Sequence, residues 1–201
     1  ILGEEIKSEY GRGAKIIHNG FSSAESIGKD VKKELDIECE MIFFVGRHSE
    51  QKGIEHLLYG FKKLLEDREA ELVVGGDGHM TESLEKFAEM LGIEEKVHFV
   101  GFIPDRELGD FYRAADVFVN PSINEPFGLT ITEALQEGIP VVATRNGVEE
   151  IAADSIISID SNSDSIRRGI EKALDNNFDS RFCSRSWEEM VDETVELYRD
   201  I

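Results

Sequence analysis

The sequence predicts an α/β fold: a doubly wound, Rossmann-like, mostly parallel sheet. Three observations carry the prediction. Short β-branched runs alternate with longer amphipathic segments along the 201 residues. Several of the runs are apolar throughout, as expected of strands covered on both faces. Gly and Pro punctuation falls between the segments, so no linker divides the chain and 1–201 reads as a single domain.

The strands are expected at "AKIIH" (14–18), "MIFFVG" (41–46), "ELVVGG" (71–76), "VHFVG" (97–101), "VFVNP" (117–121), "PVVAT" (140–144) and "SIISI" (155–159). The first helix, 53–68, carries Leu57, Leu58, Phe61, Leu64 and Leu65 as a stripe of period 3.6. The segment 80–93 turns Leu84, Phe87, Ala88 and Leu91 inward, with Thr81 as the expected N-cap. A third helix, 105–115, starts at Asp105 after Pro104, and a fourth spans 128–138. Helices at 163–177 and 184–200 close the chain. The last carries Trp187, Val191, Thr194 and Tyr198 as a stripe suited to another domain, or to this domain's own surface. In such folds ligands bind in the loops that leave the carboxyl ends of the strands.

The chain carries 42 acidic and 22 basic residues, a net charge of −20. Such a surface repels nucleic acid and anionic lipid. A site for a phosphorylated ligand must therefore be built locally, from a few cations and free backbone N–H groups. The two cysteines, Cys39 and Cys183, make no disulfide framework, and the five histidines show no metal spacing. A reduced, cytoplasmic setting is expected. No apolar run is long enough to span a bilayer. The opening "ILGEEIKSEYG" is acidic and unlike a signal peptide, and it lacks an initiator Met, so a piece of a longer protein is expected.

Four loops invite chemistry. "GRHSEQKG" places Arg47 and Lys52 before a helix, where two cations can meet a diphosphate; on this loop alone, ordinary surface pairing with the many acids fits better. "GGDGHM" lacks the dinucleotide fingerprint and reads first as a tight turn. Phe102 and Ile103 in "FIPDREL" offer either an apolar wall to a base or a cap on the sheet edge.

The fourth loop is "SINEPFGLTITEAL". Its helix presents Ile131, Ala134, Leu135 and Gly138 on one face, which leaves Glu133 off that stripe. By periodicity alone Glu133 is a solvated glutamate and Glu125 a turn residue. Yet Gly128, Leu129 and Thr130 expose free N–H groups between them. Glu133 lies about 7–8 Å along the axis from Gly128 at roughly 1.5 Å per residue. Two carboxylates flanking such a helix start suit the paired hydroxyls of two sugars in one nucleotide-sugar.

The segments "FVGRHSEQKGIEHLLYGFKKL", "LVVGGDG", "VHFVGFIPDRELGDFYRAADVFVNPS", "EPFGLTITEAL" and "GIPVVATRNGVEEI" resemble the C-terminal, donor-binding domain of family 4 retaining glycosyltransferases of GT-B architecture. Glu125 and Glu133 match the E-x7-E signature, and the resemblance runs from about residue 15 to the end. It implies that Arg47 and Lys52 hold the donor diphosphate and that Glu125 lies near the transferred sugar. It implies further that Gly128, Leu129 and Thr130 cradle the distal phosphate, and that Glu133 binds ribose. Phe102 and Ile103 match the base contact; Gly46 and Phe127 complete the donor set. The final helix around Trp187 matches one that returns to an N-terminal domain, which would bind the acceptor sugar or lipid. Two departures stand out. Asn146 replaces the first of a common glycine pair, and no Asp follows "HNGF" (18–21).

The implied reaction is hexose transfer from a nucleotide-diphosphate sugar to an acceptor hydroxyl, with retention and without cofactor or metal. These residues alone are expected to bind nucleotide but not to turn over. Alternatives are a sugar-nucleotide epimerase of the same architecture and a non-catalytic doubly wound module. A phosphoacceptor receiver would need an acid cluster and a late lysine that "GRHSEQKG" and "TRNG" do not supply.

Overall fold

The computed structural model describes residues 8–11, 15–175 and 185–199. The chain divides into two compact units, Ser23–Phe182 and the combination of Ile1–Ser22 with Cys183–Ile201.

The larger unit holds the sheet. Its strands are β1 (Glu40–Val45), β2 (Ala70–Gly75), β3 (Val97–Gly101), β4 (Val117–Asn120), β5 (Val141–Thr144) and β6 (Ile156–Ile159). Every neighbouring pair is parallel, in the order β3-β2-β1-β4-β5-β6. The helices are α1 (Val31–Glu34), α2 (Ile54–Leu64), α3 (Thr81–Leu91), α4 (Asp105–Ala114), α5 (Leu129–Gln136), α6 (Glu149–Ala152) and α7 (Ser163–Asp175).

The strands read as continuous apolar runs because alternate residues feed two cores. Ile42, Phe44, Leu72, Val74, Val117, Val119 and Val142 pack with α2, α3 and α7. Met41, Phe43, Val73, Phe118, Val141 and Ala143 pack with α1, α4, α5 and α6. On α2, Leu57, Leu58, Phe61 and Leu64 are fully buried, as the period of 3.6 requires. Truncating Phe61 to Ala would cost about 3–5 kcal/mol, a large share of a domain's net stability.

Six of the seven expected strands form. The exception is "AKIIH": residues 15–18 are irregular, and Ile16 is exposed. Two isoleucines give β propensity, but a strand needs a neighbour and a covered face, and Lys15 and Ile16 have neither. Helix α2 stops at Leu64 rather than 68. Gly138 lies beyond α5, exposed, with φ 76°, so it is a terminator and not part of the buried stripe. Thr81 is the first residue of α3 rather than its N-cap, which is Met80. The short helices α1 and α6 have no periodicity to announce them. The expected helix ends at 176–177, 184 and 200, Ala14 of the first expected strand, and Cys183 lie outside the described residues.

In the smaller unit, α8 (Trp187–Arg199) begins with a reciprocal cap. Ser186 Oγ accepts the Glu189 N–H at 3.1 Å, and Glu189 accepts the Ser186 N–H at 2.7 Å. Phe21 N–H donates to Arg185 O at 3.0 Å, and a Cβ at Gly20 would lie 2.4 Å from Trp187 Cα. Trp187, Val191 and Tyr198 of the predicted stripe are exposed; Thr194 donates its hydroxyl to Met190 O at 2.8 Å. No helix of the described residues is long and apolar enough to cross a membrane.

Candidate functional site

Strand order reverses between β1 and β4, which pair through Ile42–Val117 and Phe43–Phe118. Loops leaving such a point diverge to opposite faces and open a crevice at the carboxyl edge. The residues at issue leave from these two strands and their neighbours.

Two backbone steps set the floor. Gly46 N–H donates to Gly75 O at 3.1 Å, and Gly76 N–H donates to Gly101 O at 2.7 Å. At Gly76 φ is 106°, and a Cβ would lie 2.0 Å from Gly46 O. Only glycine permits that approach, so "GGDG" is first a packing device. The loop after β1 is then pinned from both sides. His48 N–H donates to Asp77 O at 3.0 Å and His48 O accepts the Met80 N–H at 3.3 Å. The His48 ring is buried, with Nδ1 2.8 Å from Thr81 Oγ1, and burial pulls its pKa below the ordinary value. The Thr81 hydroxyl, 2.9 Å from the Asp77 carboxylate, and the Gly78 amide hold Asp77 below the usual carboxylate range. On the other side, Ile123 N–H donates to Gln51 O at 2.8 Å and Gln51 Nε2 donates to Asn124 O at 2.9 Å.

That stitch delivers Lys52 to Glu125. Lys52 Nζ lies 2.7 Å from Glu125 Oε2, with the side chains 26% and 11% exposed. Ser122 Oγ stands 3.3 Å from the same oxygen and 2.6 Å from Asn120 Oδ1. Thr144 Oγ1 in turn donates to Ser122 O at 2.5 Å. A partly exposed ion pair is worth about 1 kcal/mol or less. It is too weak to hold the loops together, which the main-chain bonds already do. Glu125 also forms an isolated parallel bridge with Asn146. Asn146 is buried, donates to Thr144 O at 2.7 Å and accepts Val148 N–H at 2.9 Å and Glu149 N–H at 3.2 Å. The departure from the glycine pair is thus a side-chain turn that organises the loop.

Helix α5 starts on Gly128 with φ 100°, where a Cβ would meet Ile131 Cδ1 at 2.7 Å and Glu125 Cγ at 3.4 Å. Gly128 O already takes the Ile131 and Thr132 N–H groups, at 3.0 and 3.2 Å. The amides of Gly128, Leu129 and Thr130 donate to no protein group among the described residues. They form the positive end of the helix. Leu129 is exposed and Thr130 half-buried, while Phe127 packs its ring on the core.

Glu133 is not the solvated glutamate that periodicity alone describes. It is half-buried, and the hydroxyl of fully buried Tyr112 donates to its Oε2 at 2.8 Å. Burial raises its pKa, the Tyr112 bond lowers it, and the Asp105 charge raises it further; the net shift is upward. Burial and the Glu133 charge push the Tyr112 hydroxyl well above its ordinary range, so it stays a donor.

The structure therefore brings Gly46, Lys52, Glu125 and Gly128 together. A Cβ at Gly46 would lie 3.9 Å from Lys52 Cδ. Arg47 leaves the end of β1 exposed, and no ion pair holds it among the described residues. Ile103 is buried, its Cδ1 filling the space over Gly75, so its side chain caps the sheet edge; Phe102 is 75% exposed. Among the described residues no three His, Cys, Asp or Glu side chains cluster as a metal ion needs. Tyr112, Gln51 and Ser122 escaped the sequence reading: Tyr112 and Gln51 act through distant partners, and Ser122 through Asn120 and Glu125 of its own turn. Arg145 escaped too: exposed at the end of β5, it forms no ion pair among the described residues.

Residues 28–188 match the model of glycosyl transferases group 1. An uncharacterised glycosyltransferase of Methanocaldococcus jannaschii is 38% identical, over 92% of this chain and 53% of its own. A D-inositol 3-phosphate glycosyltransferase of Corynebacterium jeikeium is 41% identical, over 61% of this chain and 32% of its own. The chain thus spans about half or less of the length of these relatives. Among solved structures, sucrose-phosphate synthase from Thermosynechococcus elongatus superposes with a TM-score of 0.80 at 22% identity, covering 98% of this chain and 55% of that one. HepE of Anabaena in complex with UDP gives 0.78 at 20%, covering 93% and 57%. The two structural matches speak to the fold, which is that of the C-terminal domain of GT-B glycosyltransferases. The family model speaks to descent: the chain belongs to the glycosyl transferases group 1.

Proposed function

We propose that this chain is the donor-binding part of a retaining glycosyltransferase that moves a hexose from a nucleotide-diphosphate sugar to an acceptor hydroxyl. The acceptor, a sugar or lipid, would be held by an N-terminal domain of the whole protein. The observation that carries the reading is the Lys52–Glu125 pair, set beside three unused amides at the head of α5.

The chemistry follows from charge. Cleaving the bond between sugar and diphosphate leaves negative charge on the diphosphate. Fixed donors aimed at that charge lower the barrier most. Lys52, Arg47, which forms no ion pair among the described residues, and the amides of Gly128, Leu129 and Thr130 would be the donors at this edge. Glu125 would orient the hexose and stabilise positive character at the anomeric carbon. Glu133 would accept the ribose hydroxyls. The backbone around Gly46, Phe102, Ile103 and Phe127 would contact the rest of the donor. The Anabaena neighbour was solved with UDP and with UDP-glucose, which supports a donor of this class.

Calorimetry of the intact protein with UDP, GDP and ADP tests the reading. At least one should bind below millimolar concentration, and Lys52→Ala should weaken it about tenfold or more, the worth of a charge-assisted contact. If none of the three binds at millimolar concentration, the pocket assignment falls.

A further inference from the structure

We propose that Tyr112 is a positioning residue that fixes the Glu133 carboxylate to receive a vicinal diol. The inference rests on the donor-binding reading of Glu133 and adds to it a residue outside the donor contacts.

Tyr112 has no exposed surface. Its ring is held by two others from the sheet, at 5.3 Å and 76° from Phe43 and at 5.4 Å and 66° from Phe118. Those rings belong to β1 and β4, the strands flanking the crevice. With the ring so caged, the hydroxyl has one position, and it donates its only proton to Glu133 Oε2 at 2.8 Å. Burial and the glutamate charge keep that proton in place.

A lone carboxylate on a helix turns freely about its terminal torsion, which is broad. A diol presents two donors in one plane and needs both oxygens oriented at once. Anchoring Oε2 from below sets the plane and leaves Oε1 and the second lone pair of Oε2 for the diol. The same bond meets part of the cost of half-burying the charge. A phenylalanine would fill the same space and leave the carboxylate loose.

The test compares each of UDP, GDP and ADP with its 2′,3′-dideoxy counterpart on the intact protein, using the nucleotide that binds most tightly. The wild type should prefer the diol-bearing nucleotide. Tyr112→Phe should shrink that preference about tenfold, the scale of one hydrogen bond to a charged group, while affinity for the dideoxy nucleotide stays as in the wild type. An equal loss on both nucleotides means a structural role and overturns the proposal. So does an unchanged preference in Tyr112→Phe. A wild type without preference overturns the reading of Glu133 as a ribose acceptor, and the positioning role falls with it. Should Tyr112→Phe fail to fold, Glu133→Asp withdraws the carboxylate from the hydroxyl while keeping its charge; a preference retained there overturns the proposal as well.

Discussion

Glu125 and Glu133 are eight residues apart and solve the same electrostatic problem in opposite ways. Glu125 sits in a loop and is met by a full positive charge, Lys52 at 2.7 Å. Glu133 sits on a helix and is met by a neutral hydroxyl, Tyr112 at 2.8 Å. The cation can be redirected to an incoming phosphate, since a partly exposed pair costs little to break. The tyrosine cannot be redirected, being caged on all sides. On the proposed function, one acid would belong to a contact that changes with the ligand, the other to one that is set beforehand.

That contrast can be broken experimentally. The largest expected effect is at the exchangeable contact: Lys52→Ala should lower turnover of the intact enzyme by about 100-fold or more. Its melting temperature should stay nearly unchanged, because Gln51 holds the loops. A large drop in melting temperature would show that the ion pair is structural. Next comes Gly128, which lies between the two acids. Gly128→Ala forces a side chain into φ 100°, with a Cβ 2.7 Å from Ile131 Cδ1. It should cost about 1–2 kcal/mol in chemical denaturation and weaken nucleotide binding along with it.

Glu133→Gln sharpens the contrast. It keeps the shape and an acceptor for Tyr112 but removes the half-buried charge. Nucleotide affinity should fall about tenfold while the melting temperature rises. The smallest effect is in pH. The Glu133 pKa is raised on folding, so its contribution to stability is present below the ordinary value of 4.5 and is lost as pH rises through the folded pKa. Acidification therefore protonates Glu133 earlier than an ordinary glutamate, which relieves the fold and, on the proposed function, would remove a diol acceptor. Burial drives the shift, the Tyr112 hydroxyl opposes it and the Asp105 charge adds to it. Nucleotide affinity should decline on the acid side before ordinary glutamates titrate, and Glu133→Gln should lack that limb in a pH titration.

Much of the fold could be read from the chain because both cores write themselves into the strands. A run such as "MIFFV" leaves little choice when each successive residue meets a different layer. "AKIIH" fails for the complementary reason: propensity without a neighbour. The two acids, the two cations and the glycine at the helix head were legible as a spaced pattern. What supports them was not. Periodicity on α5 describes Glu133 relative to its own helix, whereas Tyr112 reaches it from α4, 21 residues earlier in the chain. Gln51 is similar: it is an ordinary polar residue until its partner Asn124 across the loop is known.

The division of each strand between two layers has a mechanical result. Sliding β1 by a single position would turn Phe43, one of the two rings that hold Tyr112, toward α2 and α7. Strands whose successive residues feed both cores carry such a penalty, which holds β1 and β4 in register. The heights at which Gly46 and Pro121 emerge from the sheet are therefore fixed to a residue, and no ligand is needed to level them.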